Sequence, residues 1–182
     1  MINTIILSAD PPELTADGVS SSAIVAQAFD NNGSPVTDNT KIYYWVTPVD
    51  TAGTVISPRF TSGGSAATSY RVGTDVGNGY AWIYAADTLP PGNTVTDSVR
   101  ITLRPGDPAY IVVWMDSSHT PPGTLYADGN DGEWIYAQVF DAYGNHVLGG
   151  KTVSFQTTMG DFTPTISMTD TSGISRAFLQ SG

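Results

Sequence analysis

The chain contains no cysteine, which excludes disulfides, thiolate zinc sites and thiol catalysis together. It is also poor in positive charge: 7 Lys+Arg stand against 17 Asp+Glu, a formal charge of −10. Such an excess repels nucleic-acid phosphates and anionic membrane surfaces, so neither is expected as a partner. No apolar run approaches the ~20 residues of a membrane-spanning helix, and no membrane insertion by this segment is expected. Met1 to Ala9 lack the basic start and small-residue cleavage site of a secretory signal; an export address, if used, lies outside this chain. Histidine is limited to His119 and His146, both beside turn formers and without an acid or nucleophile in a recognisable pattern. No Gly-x-Ser-x-Gly elbow or phosphate loop occurs. An enzyme is not expected, nor a cofactor.

What is present is repetition. Ala16-Asp17-Gly18 recurs as Ala127-Asp128-Gly129, and Ala26-Gln27-Ala28-Phe29-Asp30 recurs as Ala137-Gln138-Val139-Phe140-Asp141. Both pairs are offset by 111 positions (127 − 16 and 137 − 26). A unit of that length is a whole domain rather than one turn of a solenoid. Nineteen Gly and twelve Pro cut the chain into short runs rich in Val, Ile, Thr and Tyr, which alternate apolar and polar. That period of two predicts half-buried strands, and several of them at this spacing predict an antiparallel sandwich.

The first unit is predicted to hold strands near Thr4–Ala9, Ser21–Phe29, Lys41–Thr47, Ser65–Val72, Gly79–Ala86 and Thr94–Leu103. Arg104-Pro105-Gly106-Asp107-Pro108 marks the boundary, because two prolines disrupt a continuing ladder. This divides the chain into domains over 1–105 and 106–182, and the short, proline-restricted linker predicts a semi-rigid joint. The second unit repeats strands near Ala109–Met115, Trp134–Phe140, Lys151–Thr157 and Ile174–Gln180. Aligning Gly173 with Gly79 leaves it without its final strand. The expected fold is all-β: two tandem sandwiches, the second lacking that strand.

The motifs resemble those of the bacterial immunoglobulin-like domain of the Big-1 group, found in invasin- and intimin-type surface proteins. The first copy carries Leu7-Ser8-Ala9-Asp10-Pro11, Ala16-Asp17-Gly18 and Asp30-Asn31-Asn32-Gly33-Ser34-Pro35-Val36. The second carries Ala127-Asp128-Gly129, Asp141-Ala142-Tyr143-Gly144-Asn145-His146-Val147, Thr152-Val153-Ser154-Phe155 and Thr169-Asp170-Thr171-Ser172-Gly173-Ile174-Ser175. The second also departs from the pattern at Met115-Asp116-Ser117 and through a loop extension at Thr120-Pro121-Pro122-Gly123. The resemblance implies immunoglobulin-like sandwiches in an extracellular stalk on the bacterial cell surface, non-catalytic and holding a distal binding region away from the cell. Its implied partners are other domains of the same larger protein, neighbouring subunits, or a host or cell-surface protein or glycan. Two alternatives stay open: a filament subunit assembled by strand complementation, and a glycan- or protein-binding module using exposed aromatics.

Acidic loops raise the question of Ca2+. Asp30-Asn31-Asn32, Asp128-Gly129-Asn130-Asp131 and Asp107 are the candidates, without EF-hand spacing. Asp and Asn also cap turns through local hydrogen bonds, and that reading is preferred. The aromatics say more. Alternation puts Ile42, Tyr44 and Val46 inward and leaves Tyr43 and Trp45 outward; Ala81, Ile83 and Ala85 inward leave Tyr80, Trp82 and Tyr84 outward. In an immunoglobulin-like topology those two strands are neighbours, so the rings form one face. In the second unit the outward aromatics are Tyr110, Trp114, Trp134, Tyr136 and Phe140, on the opposite sheet. Aromatic rings are good strand formers. Five on adjoining strands nevertheless make an apolar patch of the kind that marks a contact surface.

Overall fold

The computed structural model describes residues 1–49, 51–92, 95–116 and 124–182. The readings of Thr94 as a strand start, and of Ser117, His119 and the Thr120–Gly123 extension lie outside the described residues. Among those described there is no helix, and the chain divides into two compact units, Met1–Arg104 and Pro105–Gly182.

Unit 1 holds β1 (Thr4–Asp10), β2 (Glu13–Thr15), β3 (Ser21–Phe29), β4 (Lys41–Thr47), β5 (Gly53–Val55), β6 (Arg59–Phe60), β7 (Ser65–Val72), β8 (Tyr80–Ala86) and β9 (Thr96–Arg104). One sheet runs β1-β3-β7-β5 and the other β2-β9-β8-β4-β6. The alternation of each strand fixes which side is dry. In β3, Ile24, Ala26 and Ala28 are buried while Ala23 and Gln27 stay outside. The opposite sheet supplies Ile42, Ile83 and Ile101, all fully buried, and the two inner faces close on one core.

Unit 2 holds β10 (Tyr110–Met115), β11 (Gly132–Phe140), β12 (Thr152–Ser154), β13 (Asp161–Thr163), β14 (Ile166–Met168) and β15 (Ile174–Gln180). Its sheets are β10-β11-β15-β13 and β12-β14. Hydrogen bonds set the equivalence of the two units residue by residue. The Ala28 N–H donates to Gly64 O and the Val139 N–H to Gly173 O, both at 2.9 Å. Val36 N–H then donates to Ala28 O, and Val147 N–H to Val139 O. Both Gly64 and Gly173 have positive φ, 79° and 73°. Gly53 and Gly160 are matched as well: a Cβ on either would collide with a carbonyl oxygen, of Arg71 in one unit and Gln180 in the other.

Gly173 therefore matches Gly64, not Gly79, and β15 is the counterpart of β7. The alignment made from sequence is corrected accordingly. Among the described residues unit 2 is short by two strands rather than one, since neither β8 nor β9 has a counterpart there. The stretch matching β2 is not a strand either, because β2 exists by parallel pairing with β9.

Candidate functional site: two aromatic sheet faces

In unit 1, β4 and β8 pair antiparallel with Trp45 opposite Tyr84. Their rings stack at 5.2 Å with 3° between planes, and Tyr80 meets Trp82 edge-on at 6.4 Å. Cations rest on the ends of this face: the Arg100 guanidinium lies 5.7 Å over Tyr80, and Lys41 Nζ lies 5.8 Å over Tyr43. All five rings are half-buried. Stacked pairs of this kind add about 1 kcal/mol beyond their burial.

In unit 2, the ladder of β10, β11 and β15 brings the second set together. Tyr110 stacks on Phe140 at 5.2 Å and Trp114 on Tyr136 at 5.5 Å. Trp134 meets Phe178 edge-on at 5.4 Å, with the Arg176 guanidinium 4.8 Å over Trp134. Phe178 escaped the sequence reading. Its ring lies over the backbone of Gly132, where a side chain would occupy the same space. A glycine diagonal to an aromatic strand position, two residues before that aromatic's ladder partner Trp134, is the signal that would have found it. All ten residues expected on these faces from sequence sit on them, each face on a single sheet.

The carboxylates of the acidic loops are engaged with backbone. Asp30 Oδ1 accepts the N–H groups of Asn32 and Ser34, and Asp128 Oδ1 those of Asn130 and Asp131. Asp141 is buried: Oδ1 accepts from Tyr143 and Asn145, Oδ2 from Gly106 N–H and Asn145 Nδ2. Burial pushes its carboxyl up, but the Asn145 side chain and the N–H groups of Gly106, Asn145 and Tyr143 outweigh that and hold it below the usual range. Among the described residues no three His, Asp or Glu converge as metal ligands. His146 is an exposed turn residue bridged to Phe140. An open cavity of about 760 Å³ lies in unit 1 beside Val46, Thr54, Arg71 and Asp75, and Arg71 Nε there already donates to Gly18 O.

No family model and no curated protein matches the sequence. Solved structures do. The chain is similar to invasin, described as a bacterial integrin-binding protein, at 16% identity over 96% of this chain and 34% of that one, TM-score 0.62. InvD of Yersinia pseudotuberculosis matches at 21% identity over 97% and 49%, TM-score 0.62. FdeC, an Escherichia coli adhesin, matches at 16% identity over 100% and 56%, TM-score 0.55. This chain thus spans between 34% and 56% of the length of these proteins. As the Big-1 resemblance implied, its fold is the tandem immunoglobulin-like β-sandwich of the invasin type.

Proposed function

We propose that this chain is a non-catalytic stalk segment of an adhesive protein on the bacterial cell surface. It transmits tension between the cell and a distal region that binds a host- or cell-surface protein. Its aromatic faces are packing surfaces against other domains of the same protein or neighbouring subunits. The likeness to invasin, InvD and FdeC supports this reading.

The observation that carries it is the pairing of β2 with β9, which is parallel: Glu13 faces Thr102 and Thr15 faces Arg104. Tension entering along the N-terminal strands and leaving at Arg104 pulls these two strands past each other. Every bond bridging them then shares the load, whereas the strands of a hairpin pulled from its open end give way one bond at a time. The Ala16 N–H bonds to Arg104 O at 2.8 Å and the Thr102 N–H to Pro12 O at 2.9 Å. The Glu13–Arg104 ion pair closes the same seam at 2.9 Å.

Stretching the full chain between Met1 and Gly182 in a single-molecule force experiment tests this. Unit 1 is expected to rupture in a discrete peak. Ala16→Pro, which removes one bridging donor, is expected to lower that force, and Glu13→Ala to lower it less. A unit 1 that unravels without a peak, or peaks identical in both variants, would overturn the proposal.

A further inference from the structure

The turn between β3 and β4 carries a short motif that neither the core nor the load path uses. Asn32-Gly33-Ser34 is the one Asn-x-Ser/Thr sequence in the chain, and Asp30 stands two residues before it. Asn-x-Ser/Thr, with any residue but proline in the middle, is the acceptor read by enzymes of N-linked glycosylation on exported proteins. Bacterial enzymes of this class also read an acidic residue at the place of Asp30.

The structure presents the motif on a fixed base with a free tip. Val36 is buried and its N–H donates to Ala28 O at 3.0 Å, while the Asp30 N–H donates to Ser34 O at 2.9 Å. Within that clasp Asp30 Oδ1 accepts the N–H groups of Asn32 and Ser34, at 2.9 and 3.0 Å. The backbone of the motif is thereby held, and its side chains are not. Asn31, Asn32, Gly33, Ser34 and Pro35 are all exposed. The Asn32 amide group and the Ser34 hydroxyl make no hydrogen bond among the described residues. A Cβ on Gly33 would meet no atom within 4 Å, so open space surrounds the tip.

The matching turn of unit 2 is built into its own packing. Tyr143 and Asn145 stand there in place of Asn32 and Ser34. Asn145 Nδ2 donates to the buried Asp141 at 2.8 Å, and a Cβ on Gly144 would lie 3.6 Å from Tyr110 Oη. The same turn thus serves the fold in unit 2, and in unit 1 it leaves an amide and a hydroxyl unengaged in water.

We propose that Asn32 is the attachment site of an N-linked glycan. The donor is an oligosaccharide carried on a polyprenyl pyrophosphate. Asn32 Nδ2 forms a bond to the anomeric carbon of the first sugar, and the bond from that carbon to the pyrophosphate oxygen breaks. The pyrophosphate leaves with the bonding electron pair, the proton lost from Nδ2 goes to a base of the enzyme, and nothing is oxidised or reduced. Ser34 supplies the hydroxyl by which the acceptor is recognised, and Gly33 adds no side chain between the two. The inference does not depend on the chain carrying force.

The test incubates the folded full chain with a bacterial oligosaccharide-transferring enzyme and its polyprenyl-pyrophosphate donor, beside an Asp-x-Asn-x-Thr peptide as positive control. Intact mass is expected to rise by one glycan, and fragmentation to place that glycan on Asn32. Asn32→Gln and Ser34→Ala are each expected to lose the added mass, and Ser34→Thr to keep it. All three variants are expected to keep the denaturant midpoint of unit 1, so the loss reports recognition and not folding. No added mass while the control peptide is modified, a glycan on another residue, or a glycan that survives Asn32→Gln would each overturn the proposal.

Discussion

Ile5 and Ile111 occupy the same rung of the same ladder, opposite Ala28 and Val139, and differ tenfold in exposure, 5% against 50%. The residue and the strand are the same; the covering sheet is not. Burial in a sandwich is thus a property of the pair of sheets, and alternation within one strand only selects the side that can be buried. The same lesson holds at Ala16 and Ala127. Ala16 is fully buried beside Arg104, while Ala127, in the same repeated triplet, is exposed where no β9 lies against it.

The sharpest way to break this comparison is a matched pair of truncations. Leu7→Ala removes buried atoms from a closed core and is expected to destabilise unit 1 by about 3 kcal/mol. Val113→Ala at the equivalent rung is expected to cost unit 2 under about 0.5 kcal/mol, since its side chain is already in water. Site-resolved hydrogen exchange on the full chain measures both units separately. Equal costs would mean that unit 2 closes over β10 in solution.

The second comparison concerns the repeated aspartates Asp30 and Asp141, which cap the same turn. Asp141→Ala strands the donors of Gly106, Tyr143 and Asn145 and is expected to cost unit 2 about 2–3 kcal/mol, against about 1 kcal/mol for the half-buried Asp30 with two donors. The carboxyl of Asp141 is held below its ordinary value in the folded state. Its stabilisation is therefore present above the unfolded carboxylate pKa of about 4 and is lost as pH falls through the lower folded value. Asp141→Asn is expected to flatten that acid limb in denaturant midpoints of unit 2. An unchanged limb would assign the acid sensitivity elsewhere.

The long strands were legible because seven to nine residues of alternation leave no ambiguity of face. The strands β5, β6, β13 and β14 were not, because two or three residues carry no period. The misalignment of Gly173 has a physical origin too. Gly79 and Gly173 both take positive φ immediately before an aromatic-bearing strand, so local chemistry cannot separate them. The triplet Thr61-Ser62-Gly63, repeated as Thr171-Ser172-Gly173, pointed to the right match but is offset by a turn one residue longer in unit 2. The aromatic faces were readable because outward Trp and Tyr alternate with Ala and Ile. Phe178 was not, since its place on the face depends on the space above Gly132.

The smallest expected effects come from two buried phenols of unit 1. Tyr44 Oη donates to Ala66 O at 2.7 Å, and Tyr70 Oη donates to Ala52 O. Unit 2 has Phe155 and Leu179 at these places, and Ser175, the counterpart of Ala66, buries an Oγ without a partner among the described residues. Tyr44→Phe is expected to cost unit 1 about 1 kcal/mol, and Phe155→Tyr to stabilise unit 2 by up to about 1 kcal/mol by supplying a hydroxyl to that site. Burial pushes both phenols up to about 12. A raised folded value makes their contribution complete below the unfolded pKa of about 10 and loses it as pH rises through about 12. Unit 1 should thus soften between these limits while unit 2, lacking both hydroxyls, does not. Denaturant midpoints followed through Trp45 and Trp82 for one unit and Trp114 and Trp134 for the other separate the two responses. Parallel alkaline loss in both units would show that the difference at these two positions has no energetic consequence.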